Sequence, residues 1–264
     1  MSKAPHGIRA IGVAGAAVLL AGAAFAAELA PADRHSGYAD VGPQTRAMQD
    51  DDAANPGMLF VLDGETLWTR NAGQSDVSCA SCHGDARSSM KGVAARYPAF
   101  AADRGRAVDL ESRINICRSE HQRAPELAFE SPELLALAAY VANQSRGMPI
   151  EAGTDDRLAP FVEAGRELFN RRQGQLALTC AQCHDDNAGN LLAGNVVPQA
   201  HPTGYPVYRL EWQSLGSLQR RLRNCMVGMR AEPYEYGAPE NVALEAFLMW
   251  RARGMPLETP GVRP

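Results

Sequence analysis

Two five-residue segments carry the residues best suited to chemistry. In both Cys79–His83 and Cys180–His184, two cysteines are separated by two residues and the second is followed at once by a histidine. This pattern is the attachment signature of c-type haem: the two thiols are joined to one porphyrin and the histidine binds the iron. A redox-active pair would need a surrounding βαβ pattern, and a zinc ribbon would need two cysteine pairs closer than the 101 residues found here. We therefore predict two covalently attached haem c groups.

Each predicted haem is held by residues of one motif. The attachment and proximal residues are Cys79, Cys82 and His83 for the first haem, and Cys180, Cys183 and His184 for the second.

The motifs belong to a longer internal repeat. Gly64 and Gly165 each lie fifteen residues before the first cysteine of a motif, and a lone cysteine follows each motif. Each half then has an apolar run followed by Arg-Gly-Met-Pro, at 146–149 and 253–256. The same landmarks in the same order indicate a tandem duplication. The predicted fold is mainly α, with two tandem cytochrome c-like domains and long haem-wrapping loops.

The repeat predicts the elements that position the motifs. A first helix should contain Gly64 or Gly165, and a last helix should end at the glycine of Arg-Gly-Met-Pro. In the first half, Ser131 before Pro132 is a typical helix start. Long stretches without periodicity, such as 191–206, need something large to wrap around, and a bound cofactor would serve.

The beginning of the chain resembles an export signal. Lys3 and Arg9 precede an apolar run over 10–25 that ends in the small-residue pattern Ala-Phe-Ala, which is typical of a cleavable signal peptide. The predicted organisation is a signal peptide over 1–26, an N-terminal arm over 27–57, a first domain over 58–152 and a second domain over 153–264. We expect no other membrane-spanning segment.

Composition excludes some classes of function. The chain has 264 residues, is 45% hydrophobic and 21% charged, and carries a formal charge of −4. These values are typical of a globular protein, and a weak negative charge does not favour nucleic-acid binding.

The lone cysteines, Cys117 and Cys225, lie where a cytochrome c domain usually supplies its distal iron ligand. We predict that they are these ligands, so that the axial pairs are His83 with Cys117 and His184 with Cys225. Three alternatives stay open: a disulfide between the two cysteines, ligation by the methionines of the two Arg-Gly-Met-Pro segments, Met148 and Met255, and ligation of the first haem by His121. A thiolate ligand would give a low haem potential.

The segment 224–234, which runs Asn-Cys-Met-Val-Gly-Met-Arg-Ala-Glu-Pro-Tyr, resembles the signature of the SoxA subunits of SoxAX cytochromes. The resemblance covers essentially the whole mature chain, and the intact Cys79–His83 motif places it with the dihaem members. It implies a periplasmic L-cysteine S-thiosulfotransferase, which joins thiosulfate oxidatively to a cysteine of the SoxYZ carrier. It also implies a heterodimer with the cytochrome SoxX.

The resemblance further implies roles for single residues of the second domain. Cys225 would be a haem ligand and catalytic persulfide, and Arg221 would bind the substrate. Arginine forks suit oxyanions, and Arg230 is a second candidate for binding thiosulfate. Arg223, two residues before Cys225, should point to another face of a helix. Arg113 precedes Cys117 by the same four residues, so this spacing alone does not identify the catalytic half.

Two other functions fit parts of the pattern. A dihaem electron-transfer cytochrome would use both cysteines as ligands without any sulfur chemistry of its own. A dihaem peroxidase would need an open iron site, against which the paired cysteines argue.

Overall fold

A pair of crossing helices forms the centre of each half of the chain. The computed structural model describes Met1 and residues 29–264, so the predicted signal peptide falls outside the described residues, apart from Met1. None of the helices among the described residues is both long and apolar enough to cross a membrane.

The described part of the first half contains six α-helices and one antiparallel hairpin. In chain order they are α1 (Pro43–Asp50), α2 (Gly57–Thr69), α3 (Cys79–His83), α4 (Ala86–Ser89), β1 (Ala99–Ala101), β2 (Arg106–Val108), α5 (Leu110–Cys117) and α6 (Pro132–Asn143).

The second half repeats the order of first helix, motif helix, hairpin and two further helices. Its elements are α7 (Ala159–Asn170), α8 (Cys180–His184), β3 (Leu191–Leu192), β4 (Asn195–Val196), β5 (Val207–Arg209), β6 (Ser214–Gly216), α9 (Leu218–Gly228), α10 (Pro239–Arg251) and β7 (Gly261–Arg263). A β3–β4 hairpin lies in the place of α4, and a final strand, β7, is added. Strand β5 pairs antiparallel with β6 and parallel with β7.

Glycine allows the central helices to approach closely. Helix α2 crosses α6 at Gly64, where a Cβ atom would lie 2.1 Å from the Ala136 carbonyl oxygen. Helix α7 crosses α10 at Gly165 in the same way, at 2.0 Å from the Ala243 carbonyl oxygen. Any larger side chain would force the helices apart, which explains why both copies of the repeat have glycine here.

The last helix of each half begins as expected and ends early. The Ser131 hydroxyl accepts a hydrogen bond from the Leu134 backbone N–H, which confirms the predicted N-cap of α6. However, α6 ends at Asn143 and α10 at Arg251, whereas the sequence predicted ends at Gly147 and Gly254. A turn follows each helix and contains the predicted glycine. Gly147 and Gly254 have φ of 80° and 82°, a backbone conformation outside the α-helical region.

The two Arg-Gly-Met-Pro segments bind each other. Pro149 and Pro256 form an antiparallel bridge, and the Leu257 N–H donates to the Met148 carbonyl at 2.9 Å. The Ile150 N–H donates to the Met255 carbonyl at the same distance. The repeated segment therefore joins the two halves through a symmetric backbone contact.

The hairpins are packed reciprocally between the halves. Leu215 of β6 is fully buried in the cluster around α2 and α6, and Ala107 of β2 is buried in the cluster around α7 and α10. Ring contacts follow the same symmetry, with Phe60 against Tyr208 and Phe161 against Phe100. Each half thus completes the core of the other.

The segment before α2 lies mainly against the second half. The Arg34 guanidinium donates to the carbonyls of Arg251 and Arg253, and the His201 ring bonds to the His35 carbonyl. Within α1, Gln49 accepts a hydrogen bond from the Val262 N–H of β7. The polar residues of this segment therefore bind the C-terminal part of the chain.

Candidate functional site

Both Cys-x-x-Cys-His motifs form short helices that are fixed at their N-termini. In α3 the Ser78 hydroxyl accepts from the Ser81 N–H at 3.0 Å, and Ser81 reciprocates toward the Ser78 backbone. Thr179 and Gln182 make the same reciprocal pair in α8. These hydrogen bonds satisfy two otherwise unpaired N–H groups and so stabilise each short helix. Within the helix, the two cysteines are three residues apart and lie about one turn from each other on the same face.

His184 is oriented as an iron ligand should be. Its Nδ1 lies 2.7 Å from the Pro198 carbonyl oxygen, so Nδ1 carries the proton and donates it. The lone pair of Nε2 is then available to a metal, because a hydrogen bond from the other ring nitrogen fixes the tautomer and the ring orientation of a metal-binding histidine. The Phe169 ring lies 6.4 Å from His184, and the equivalent Trp68 lies 5.7 Å from His83.

The lone cysteines lie on α5 and α9, facing the motifs. Cys225 interacts electrostatically with Cys180 of the second motif, and Cys117 interacts with Cys79 and Cys82 of the first. All six cysteines are free, so the disulfide between Cys117 and Cys225 is absent. The structure therefore favours two separate clusters of three sulfurs over a bridge between the halves.

These groups fit haem c in each half. Each cluster combines two thiols on one helix turn, a histidine that follows them and a third sulfur from a different helix. In the second half, His184 and Cys225 are neighbours, because His184 is among the groups that lower the pKa of the Cys225 thiol. The two residues predicted from the sequence as iron ligands of the second haem therefore lie at the same site.

Positive groups surround Cys225. Burial raises the pKa of its thiol, but the hydrogen bond with His184 and the charges of Arg221 and Arg209 more than offset this, so the pKa is lowered overall. Burial raises the pKa of the neighbouring Cys180 thiol to about 12, with the charges of Cys225 and Cys183 adding to the effect.

The pKa of the Cys117 thiol is shifted in the opposite direction, upward. Burial raises the pKa of its thiol, and Arg113 only partly opposes this effect. The charges of Cys82 and Asp103 raise the pKa further. The two lone cysteines therefore occupy equivalent positions in the repeat with different electrostatic surroundings.

The arginines near Cys225 face different parts of the molecule. Arg221 is partly buried and acts on Cys225, as its position one turn earlier on α9 predicted. Arg223 donates to the Tyr234 carbonyl and covers the Tyr236 ring at 4.6 Å, on another face. Arg230 is exposed beyond the end of α9, with φ of 55°. The structure thus brings Arg221 to the sulfur and leaves Arg230 at the surface.

The alternative distal ligands lie elsewhere. Met148 and Met255 belong to the backbone contact between the halves, and His121 is exposed in a π-helical turn over Arg118–Gln122.

Sequence reasoning missed two residues of the second site. Tyr205 lies near Arg221 and Cys225, and burial raises the pKa of its hydroxyl. Tyr97 has the equivalent place beside Arg113 and Cys117 in the first site. The common spacing of 108 residues in all three pairs is a signal that could have found the tyrosines. Arg209, the second missed residue, has Ala101 at the equivalent position and so gives no repeat signal.

Comparison with known proteins gives a consistent result across the chain. The sequence model of the SoxA/TsdA cytochrome c domain matches residues 63–150 and again 164–257. Each matched stretch contains one Cys-x-x-Cys-His motif and one lone cysteine, which confirms the prediction of two tandem cytochrome c domains.

The similar proteins include several curated SoxA subunits of L-cysteine S-thiosulfotransferase. That of Pseudaminobacter salicylatoxidans is 39% identical over 83% of this chain and 77% of its own length. That of Rhodovulum sulfidophilum is 36% identical over 86% and 79%, respectively. The crystal structure of SoxXA from P. pantotrophus superposes with a TM-score of 0.84 at 33% identity, covering 88% of this chain and 87% of that one.

Proposed function

This chain belongs to the SoxA/TsdA cytochrome c family, and from that premise we propose that its second half joins thiosulfate to a carrier cysteine at Cys225. Its activity is that of an L-cysteine S-thiosulfotransferase subunit, as in the curated SoxA relatives. The resemblance seen in segment 224–234 is thereby confirmed at the level of the family.

The placement of Arg221 beside Cys225 is the observation that carries the proposal for the site. Thiosulfate is a dianion with an oxyanion end and a sulfane sulfur. A guanidinium can hold the oxyanion end through paired hydrogen bonds while the sulfane sulfur faces the Cys225 thiolate. The positive surroundings of Cys225 favour both the thiolate and the approach of an anion.

The proposed chemistry proceeds in two balanced steps. The Cys225 thiolate and the sulfane sulfur of thiosulfate form an S–S bond, and the two sulfurs together lose two electrons. The carrier thiolate then attacks that sulfane sulfur, forms a new S–S bond and releases the Cys225 thiolate. A persulfide on Cys225 would act in the same way with one more sulfur in the chain. Haem c, when bound, supplies the one-electron acceptor chemistry that the oxidation needs.

Two haems complete the proposal for cofactors. Cys79 and Cys82 would attach the first, and His83 and Cys117 would bind its iron. Cys180 and Cys183 would attach the second, and His184 and Cys225 would bind its iron. The equivalent clusters of three sulfurs in the two halves support two groups rather than one.

Partners and compartment follow from the family and the beginning of the sequence. We expect a heterodimer with SoxX, because the similar crystal structure is of SoxXA, and transfer to a SoxYZ carrier. The basic and apolar segments within 1–26 favour export to the periplasm, where c-type haem is attached.

The substitution Cys225→Ser tests the site. In the SoxX complex, this variant should lose conjugation of thiosulfate to the carrier, measured as the mass gain of the carrier protein. The control Arg223→Ala alters the same helix on a different face and should keep conjugation. Both variants should keep their covalently attached haems by intact mass.

Retained conjugation in Cys225→Ser would overturn the assignment of Cys225. The chain would then serve its complex by electron transfer, and the sulfur chemistry would belong to another group.

A further inference from the structure

The charged residues around the lone cysteines differ between the two halves. Tyr97, Arg113 and Cys117 recur 108 residues later as Tyr205, Arg221 and Cys225, and the acidic Asp103 recurs as Glu211. Arg209 breaks this correspondence, because the equivalent residue of the first half is Ala101. Both residues end the first strand of a hairpin, since β1 ends at Ala101 and β5 at Arg209.

The Arg209 side chain is held firmly in a largely buried position. Its guanidinium covers the Trp212 ring at 5.1 Å, and the side chain is 12% exposed. Its Nε lies 2.9 Å from Glu211 Oε1, but out of line for a hydrogen bond, so this buried donor has no hydrogen-bond partner. An oriented donor of this kind can serve a ligand without further ordering cost.

Arg209 and Arg221 are close enough to influence each other. Burial lowers the pKa of Arg209, and the charge of Arg221 lowers it further. Both guanidinium groups act on Cys225 and on Tyr205. The carboxylate of Glu211 acts on both Arg209 and Arg221. Half of its side chain is exposed to solvent, so it offsets their positive charge only weakly.

The surroundings of Cys117 lack this excess of positive charge. There Arg113 is opposed by Asp103, which lies 3.7 Å from the Arg113 guanidinium, and Arg118 acts on Cys79 of the motif. At Cys225, the two arginines are the leading charged neighbours. A dianion is therefore electrostatically favoured beside Cys225 and not beside Cys117.

We propose that Arg209 is a second thiosulfate-binding guanidinium that acts together with Arg221, and that it makes the second half the catalytic one. This inference rests on the proposed function of Cys225. Two guanidinium groups supply enough donors for the oxyanion end of thiosulfate and neutralise its double charge. The bound dianion in turn removes the repulsion between the arginines.

The substitution Arg209→Met tests this proposal, because it keeps an unbranched stem over Trp212 and removes the charge. In the holo-complex with SoxX, KM for thiosulfate should rise by about tenfold or more, which is the usual effect of losing a charge-assisted hydrogen bond, whereas kcat should change less. Binding of sulfate, an unreactive dianion, should weaken by a similar factor in calorimetric titration. Arg209→Lys should recover part of both losses, since it restores charge without the fork.

Arg220→Ala is the matched control. Arg220 covers the same Trp212 ring, at 4.1 Å, but is not among the leading charges at Cys225, so KM and sulfate affinity should stay near those of the wild type. Unchanged KM and sulfate affinity in Arg209→Met would overturn the proposal, including the case in which the haem bands shift because Arg209 binds a propionate instead. Absence of conjugation in the wild-type complex would instead contradict the proposed function.

Discussion

At the scale of single residues, the two lone cysteines show how strongly neighbours decide chemistry. Cys117 and Cys225 occupy equivalent helix positions, yet the pKa of the first thiol is raised and that of the second is lowered. The difference comes from the second-half groups His184, Arg221 and Arg209. The acid that acts on the two arginines, Glu211, is half exposed to solvent, which weakens its effect. A thiolate poised beside an anion-binding group suits sulfur transfer better than a thiol opposed by Asp103.

A second residue-scale feature is a group of buried carboxyls between the halves. Burial, together with the charges of Asp109 and Glu130, raises the pKa of Glu111 to about 8, and the pKa of Glu245 is also raised by burial and by Asp109 and Glu111. Glu111 and Glu245 line the same cavity, and the charge of Glu111 contributes to the raised pKa of Glu245.

The sign of the resulting pH dependence follows from proton counting. Between its ordinary value and about 8, Glu111 is protonated in the folded protein and ionised in the unfolded chain. The folded state therefore binds more protons, and the free energy of unfolding falls as the pH rises through this window. Arg106, which acts on Asp109, and Arg220, which acts on Glu130, moderate the effect.

We predict that Glu111→Gln removes much of this pH dependence. Between about pH 5 and about pH 8.5, the free energy of unfolding of the wild type should fall by about 1–2 kcal/mol more than that of the variant. The reason is that glutamine is neutral at both pH values. Denaturant unfolding at both pH values measures the change. Glu126→Gln, at an exposed position, is the control and should follow the wild-type profile. Parallel profiles for all three proteins would contradict the prediction.

At the scale of elements, each motif helix is connected to one helix of a crossing pair, which is α2 with α6 in the first half and α7 with α10 in the second. The crossing therefore determines where the motif helix lies. Helix α7 leads into α8 and therefore places His184 relative to α10. The crossing depends on Gly165, whose added Cβ would lie 2.0 Å from a backbone oxygen that cannot move independently of α10.

We predict that Gly165→Ala destabilises the protein by about 1–3 kcal/mol, as expected for overpacking at a close backbone contact. Gly228→Ala is the matched control, because a Cβ there would meet nothing within 4 Å and the residue also lies in a helix. It should be neutral or slightly stabilising. Equal midpoints for the two variants in denaturant unfolding would show that the α7–α10 contact tolerates a side chain.

At the scale of the whole molecule, the two repeats pack against each other as one unit and are not two independent domains joined by a linker. The Arg-Gly-Met-Pro segments pair with each other, each hairpin fills the core of the opposite half, and the Gln219 amide donates to the fully buried Asp109 at 2.7 Å. Neither half buries its apolar surface without the other.

We therefore expect the holo-protein to unfold in a single cooperative transition. Calorimetric and van't Hoff enthalpies should agree, as in two-state unfolding, because exposure of one core removes packing from the other. Two resolved transitions, or a stably folded fragment of residues 153–264, would show that the halves are independent.

The family, the two cytochrome c domains and the residues predicted for each sulfur cluster could be recognised in the amino-acid sequence alone. These features are readable because covalent haem attachment requires fixed spacing along the chain, and because a duplication repeats its landmarks. The predicted helix around Gly165 and the N-cap at Ser131 are also local features, set by residues that are close in sequence.

The folded structure was needed to show how the halves meet and which lone cysteine is surrounded by an excess of positive charge. Arg209 is sixteen residues from Cys225 in the chain and has no counterpart in the repeat, so spacing could not reveal it. Folding brings it to Cys225 through the β5–β6 hairpin, whose position depends on packing against α2 and α6 of the other half. Electrostatic surroundings are sums over groups that are close in space, and a sequence pattern records only those that are also close along the chain.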